Sequence, residues 1–115
     1  MKSNSYTKDL EFSDDKVKVS LILETLFSKE IRIAFKAGQV MKEHQTPFPI
    51  IVHLLKGAID FGVNGEQHQL EAGDILTLEG GIPHDLKAKT ESVVRLTLSK
   101  QDVSSRVEQV AKDSK

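Results

Sequence analysis

The dipeptide Asn64-Gly65 constrains this chain more than any other pair of residues. It separates two runs of strand-forming character, Ala58 to Val63 and Glu66 to Leu70. A two-residue Asn-Gly loop favours a type I′ turn, because both residues tolerate positive φ and the turn's twist matches that of the flanking strands. Loop length then sets the register. Val63 should pair with Glu66, Phe61 with His68 and Ile59 with Leu70. That pairing places His68 on the same face as Phe61 and the two aliphatic residues.

The rest of the chain is punctuated at similar intervals. Val17 to Leu21 alternates apolar and polar residues, and Ile31 to Phe35 alternates again with Ile31, Ile33 and Phe35 on one face. Lys36-Ala37-Gly38 closes that strand. Pro47 and Pro49 exclude a helix and suit an extended bend before the apolar run Ile50 to Leu55. Glu71-Ala72-Gly73-Asp74 forms a turn, Ile75 to Leu78 a strand, Gly80-Gly81-Ile82-Pro83 a break, and Asp85 to Ala88 and Ser92 to Leu98 two further strands. Many short strands joined by close turns predict an all-β sandwich or barrel. Val103, Arg106, Val107, Val110 and Ala111 recur at helical spacing behind Asp102, a suitable N-cap, which predicts a short C-terminal helix. The expected organisation is an arm over residues 1–15, flexible or hugging an edge, one barrel over 16–100, and a helix and tail over 101–115.

Composition removes several classes of function. The 115 residues suffice for one domain, and 38% apolar content can fill one core. Seventeen acidic residues against sixteen basic ones leave a net charge of -1, so the basic face that nucleic acid requires is not expected. Aromatic residues are too few for base stacking. Without cysteine there is no disulfide, thiolate chemistry or zinc-finger spacing. The polar stretch Met1 to Phe12 lacks a signal-peptide apolar region, and no run of about 18 apolar residues could span a membrane. A cytoplasmic location is the default expectation. No phosphate loop, dinucleotide fingerprint or Ser–His–Asp spacing is present.

Two stretches carry a more specific signal. Gly38 lies six residues before His44, and Gly57 follows thirteen residues after it; Gly73 leads through Gly81 to His84. These spacings resemble the two motifs of the cupin superfamily: Gly, five residues, His-x-His, three or four residues, Glu, six residues, Gly; then Gly, five residues, Pro-x-Gly, two residues, His, three residues, Asn. The resemblance spans roughly residues 30 to 98 and holds at Gly38, His44, Gly57, Gly73, Gly81 and His84. It implies an antiparallel cupin barrel, a double-stranded β-helix or jelly roll. In that family three histidines and the glutamate hold a divalent metal such as iron, manganese, nickel or zinc. Here the second histidine falls on Thr46, the glutamate on Ile50, the proline on Glu79 and the asparagine on Ala88.

Two imidazoles are fewer protein ligands than a catalytic metal commonly takes. The expectation is a pocket with His44 and His84 on one side and an apolar wall on the other, lined also by Thr46, Ile50, Val52 and Phe61. It would bind a small, partly apolar molecule, with a weakly held divalent metal on His44 and His84 as the alternative. In that alternative the chain is a metal-assisted enzyme of oxygenase or isomerase type. Strict alternation from Ile50 turns His53 away from the pocket, unless a bulge near Pro49 reverses it. Arg95, opposite in alternation to Val94 and Leu96, is a candidate anion anchor. A homodimer is expected, by analogy with other small cupins.

Overall fold

A computed structural model describes residues 1–100; the expected C-terminal helix, with its Asp102 cap, lies outside the described residues. Nine strands follow one another: β1 (Lys18–Glu24), β2 (Ser28–Phe35), β3 (Val40–His44), β4 (Ile50–Lys56), β5 (Ala58–Val63), β6 (Glu66–Glu71), β7 (Ile75–Leu78), β8 (His84–Ala88) and β9 (Ser92–Ser99). They form two antiparallel sheets, one in the order β1-β2-β9-β4-β7 and one in the order β3-β8-β5-β6. No ladder joins the two sheets among the described residues. Each keeps its own edge strands, so the architecture is a sandwich where the sequence suggested a barrel.

Alternation decides what lies between the sheets. Ile31, Ile33 and Phe35 from β2, Ile50, Val52 and Leu54 from β4, and Val94 from β9 face inward from the five-stranded sheet. Ile59 and Phe61 from β5 and Leu86 and Ala88 from β8 meet them from the four-stranded sheet. Burying a side chain of this size stabilises by about 1.5–3 kcal/mol, so this one cluster dominates folding. The β5–β6 hairpin has the expected register, with Val63 opposite Glu66, Phe61 opposite His68 and Ile59 opposite Leu70. His68 nevertheless remains 49% exposed. It shares Phe61's face, but β6 is an edge strand and the facing sheet does not cover it.

The same argument explains Val19 and Leu21. They pair with Ile33 and Ile31 and so lie on the inner face, yet both are more than half exposed because β1 overhangs the smaller sheet. Residues 1–15 form no strand and cross to the outer face of the five-stranded sheet. Arg32, 6% exposed, holds them there: its guanidinium donates to the carbonyl oxygens of Tyr6, Lys8 and Asp9 at 3.0–3.2 Å.

Beside Arg32 on that face, Glu30 accepts from Thr97 Oγ1 (2.6 Å), Ser28 Oγ (2.9 Å) and Arg95 Nε (3.2 Å). Burial pushes its carboxyl up, but those three donors outweigh burial and hold it below the ordinary value of 4.5. A depressed carboxyl contributes stability that is complete above the unfolded-state pKa and is lost as pH falls through the folded one. Stability should therefore decline on acidification below about pH 4.5, and Glu30→Gln should flatten part of that decline while lowering stability at pH 7. Urea unfolding at a series of pH values checks this; an unchanged acid slope in the variant would refute it.

Candidate functional site

The two motif histidines meet at one end of the sandwich. β8 lies between β3 and β5, so His84 has His44 as its strand partner on one side and Val63 on the other. His84 shares a face with Leu86 and Ala88 and is 3% exposed. His44 reaches the same face through a β-bulge. Met41 pairs with Leu86 and His44 with His84, so β3 takes three steps where β8 takes two. Strict alternation from Met41 would have turned His44 outward; the extra residue at Lys42-Glu43 turns it in. The two imidazole centroids are 4.4 Å apart with the rings tilted by 58°. On the other side of His84 the Phe61 ring lies nearly parallel at 5.7 Å, with an interplanar angle of 16°.

Backbone carbonyls fix the chemistry of both rings. His44 Nδ1 lies 2.7 Å from the carbonyl oxygen of Lys42, and His84 Nδ1 lies 2.9 Å from that of Ile82. A carbonyl oxygen only accepts, so Nδ1 carries the proton in each neutral ring and Nε2 is left as the acceptor. Two imidazoles in the same tautomer, each fixed by the residue two positions earlier, thus lie side by side.

The other predicted lining residues divide between this pair and the wall opposite. Phe61 contacts His84. Ile50 and Val52 are each 2% exposed and lie on the facing sheet, in the core cluster that includes Phe61. Thr46 stands in the loop beyond β3, its hydroxyl donating to the carbonyl of Phe48 at 3.0 Å. It borders an apolar groove of about 420 Å³ that includes Pro47, Phe48, Pro49 and Leu98 but neither histidine. His53 points to the outer face, where it pairs with Arg95 and Ile75. The irregularity in β4 falls between Leu54 and Lys56, too late to turn His53 inward.

Several contributors were not singled out in the sequence. Val63 follows from hairpin parity, since it shares a face with Ile59 and Phe61. Met41 does not, because the bulge hides the β3 alternation. Gly80 also carries no local signal. Its α-carbon passes so close to the Thr46–Phe48 loop that a Cβ would sit 2.3 Å from the Pro47 carbonyl oxygen. The adjacent Gly81, at φ +79°, donates its N–H to the carbonyl of Thr46 at 2.7 Å. The two loops at this end are thereby locked together.

A metal of the kind the resemblance implies does not fit these residues. Thr46 spends its hydroxyl on a backbone carbonyl, Ile50 offers only hydrocarbon, and no group of three or more His, Cys, Asp or Glu suited to a metal occurs among the described residues. The remaining donor set is two neutral imidazoles.

The family model described as a cupin domain matches residues 31–99. Solved structures agree on the fold. An RmlC-like cupin protein from Desulfovibrio desulfuricans is 25% identical, with a TM-score of 0.79 covering 86% of this chain and 96% of that one. A conserved protein of unknown function from Streptococcus pyogenes is 20% identical, with a TM-score of 0.75 over 89% and 90% of the two chains. A protein from Thermus thermophilus is 16% identical, with a TM-score of 0.78 over 86% and 98%. No curated protein matches the chain. Among the described residues no helix is long and apolar enough to cross a membrane.

Proposed function

This chain belongs to the cupin domain family, and from that premise we propose that it binds a small, partly apolar molecule at the His44–His84 pair. The observation that carries the reading is the shared tautomer. Both Nδ1 atoms are committed to carbonyls, which leaves two acceptor nitrogens on adjacent rings. A ligand bearing hydroxyl or amino groups would donate to them, and its hydrocarbon body would lie against Phe61 and the aliphatic wall of the facing sheet. The donor set offers too little for a family-type metal centre, so no reaction step is assigned to an ion.

Two measurements test this. Elemental analysis of protein purified without a metal-affinity tag, from medium supplemented with iron, nickel, manganese and zinc, should find no stoichiometric metal. Small alicyclic alcohols and amines titrated into labelled protein should shift the imidazole signals of His44 and His84, and His44→Ala should weaken that binding by about tenfold, the worth of one buried hydrogen bond. One metal per chain that survives dialysis and is lost on His44→Ala would sink the reading in favour of a metal-assisted oxygenase or isomerase.

A further inference from the structure

The outer face of the five-stranded sheet carries a cavity unrelated to the histidine pair. It lies beneath the N-terminal arm and measures about 460 Å³. Four pieces of chain enclose it. The arm contributes Tyr6, and the Asn4 amide donates to the carbonyl of Ile22 at 2.8 Å, tying the arm to β1. In β1 a bulge between Leu21 and Leu23 interrupts the alternation, so that Leu23 pairs with Glu30 and faces outward. β4 supplies His53 and Leu55, while Arg95 and Glu30 complete the lining.

Two polar atoms in this cavity are buried without a hydrogen-bond partner among the described residues: the Tyr6 hydroxyl and His53 Nδ1. Such atoms are rare because each costs about 1–3 kcal/mol, so finding both on one cavity is informative. Burial and the Glu30 carboxylate push the Tyr6 hydroxyl up from its ordinary value, against the pull of Arg95, which keeps it a protonated donor. Arg95 is bonded through Nε to Glu30, leaving its terminal nitrogens to face elsewhere.

Charge selects the ligand. Arg32 and Arg95 are strand partners, so two guanidiniums lie side by side. Glu30 neutralises Arg95, whereas Arg32 is bonded only to backbone carbonyls. Glu11, the other carboxylate that feels Arg32, is paired with Lys18 at 2.8 Å. One positive charge is therefore left in excess, next to apolar walls.

We propose that this cavity is a second ligand site, for a small organic carboxylate. Its anion is met by Arg95, the Tyr6 hydroxyl and His53 Nδ1, and its aliphatic body by Ile22, Leu23 and Leu55. The site shares no residue with the His44–His84 pair, so either assignment can fail without the other.

The probe is 3-methylbutanoate, with 3-methylbutanamide as its neutral isostere, titrated into the full-length protein and followed by NMR. The carboxylate should shift the ring signals of Tyr6 and His53 and leave those of His44 and His84 in place, with a Kd of about millimolar order. The amide should bind at least about tenfold more weakly. Tyr6→Phe should cost about five- to tenfold and Arg95→Gln at least about tenfold; Tyr6→Phe keeps the test valid if Arg95→Gln disturbs Glu30. Equal binding of amide and carboxylate, no effect of Tyr6→Phe, or no shift at Tyr6 and His53 would overturn the proposal. So would a dimer by sedimentation velocity that covers this face and blocks the titration.

Discussion

Gly57→Ala should destabilise the protein by about 4 kcal/mol, lowering Tm by roughly 20 °C. Two effects combine. Gly57 has φ +94°, where a Cβ costs about 1–2 kcal/mol in any surroundings. Its α-hydrogen also points into packed chain: a Cβ would stand 2.2 Å from Ser92 Oγ, 2.4 Å from the carbonyl oxygen of Glu91 and 2.8 Å from Ser92 Cα. The last two are backbone atoms and cannot rotate aside. Ser92 is fully buried, accepts from the N–H of Ala58 at 3.1 Å and donates to the carbonyl of Thr90 at 2.8 Å. Displacing it would break the bonds that join the β4–β5 turn to the start of β9. Gly38→Ala is the comparison, because Gly38 has φ +87° but nothing within 4 Å of a Cβ. That variant should lose only about 1–2 kcal/mol. Urea unfolding of both variants isolates the packing contribution, and equal losses would show that the close approach does not matter.

Gly57 also shows what the sequence could and could not reveal. Its spacing from His44 marked it as a motif glycine, but nothing in the sequence pointed to Ser92, thirty-five residues on. The hairpin was fully legible because the Asn64-Gly65 loop fixes its own register. Burial was not: the same register that puts His68 on Phe61's face cannot say that β6 ends the sheet. The outward direction of His53 followed from alternation with Ile50 and Val52, and it held because the bulge in β4 comes after it. In β3 the bulge comes before the functional residue, so the alternation of Val40 to Glu43 points the wrong way for His44. Motif spacing found that histidine where periodicity could not. Gly80, Ile22 and Tyr6 lay beyond either method, since each matters through a long-range approach or a local break in strand geometry.

Phe61→Ala should cost about 3–5 kcal/mol, the loss expected for a fully buried ring whose neighbours cannot close the gap. Phe61 is 1% exposed, lies opposite Leu86 on β8 and belongs to the cluster that joins both sheets. The regular ladders on either side of β5 limit collapse into the void. Phe61→Leu keeps most of the volume and should cost less than about 1.5 kcal/mol. The pair of variants bears on the site as well as on stability. The Phe61 ring is stacked on His84 and lies between the imidazoles and the hydrophobic interior. If the histidine pair works against an apolar wall, Phe61→Leu should remain folded and still weaken binding of the alicyclic alcohols, because the flat face beside His84 is gone. A void left by Phe61→Ala would be lined by hydrocarbon and should take up benzene, recovering part of the lost stability in proportion to RT ln(1 + [L]/Kd). A loss under about 1 kcal/mol for Phe61→Ala, with no benzene effect, would mean that water already reaches this position. The pair would then be a hydrated site, and the preference for an apolar ligand would have to be abandoned.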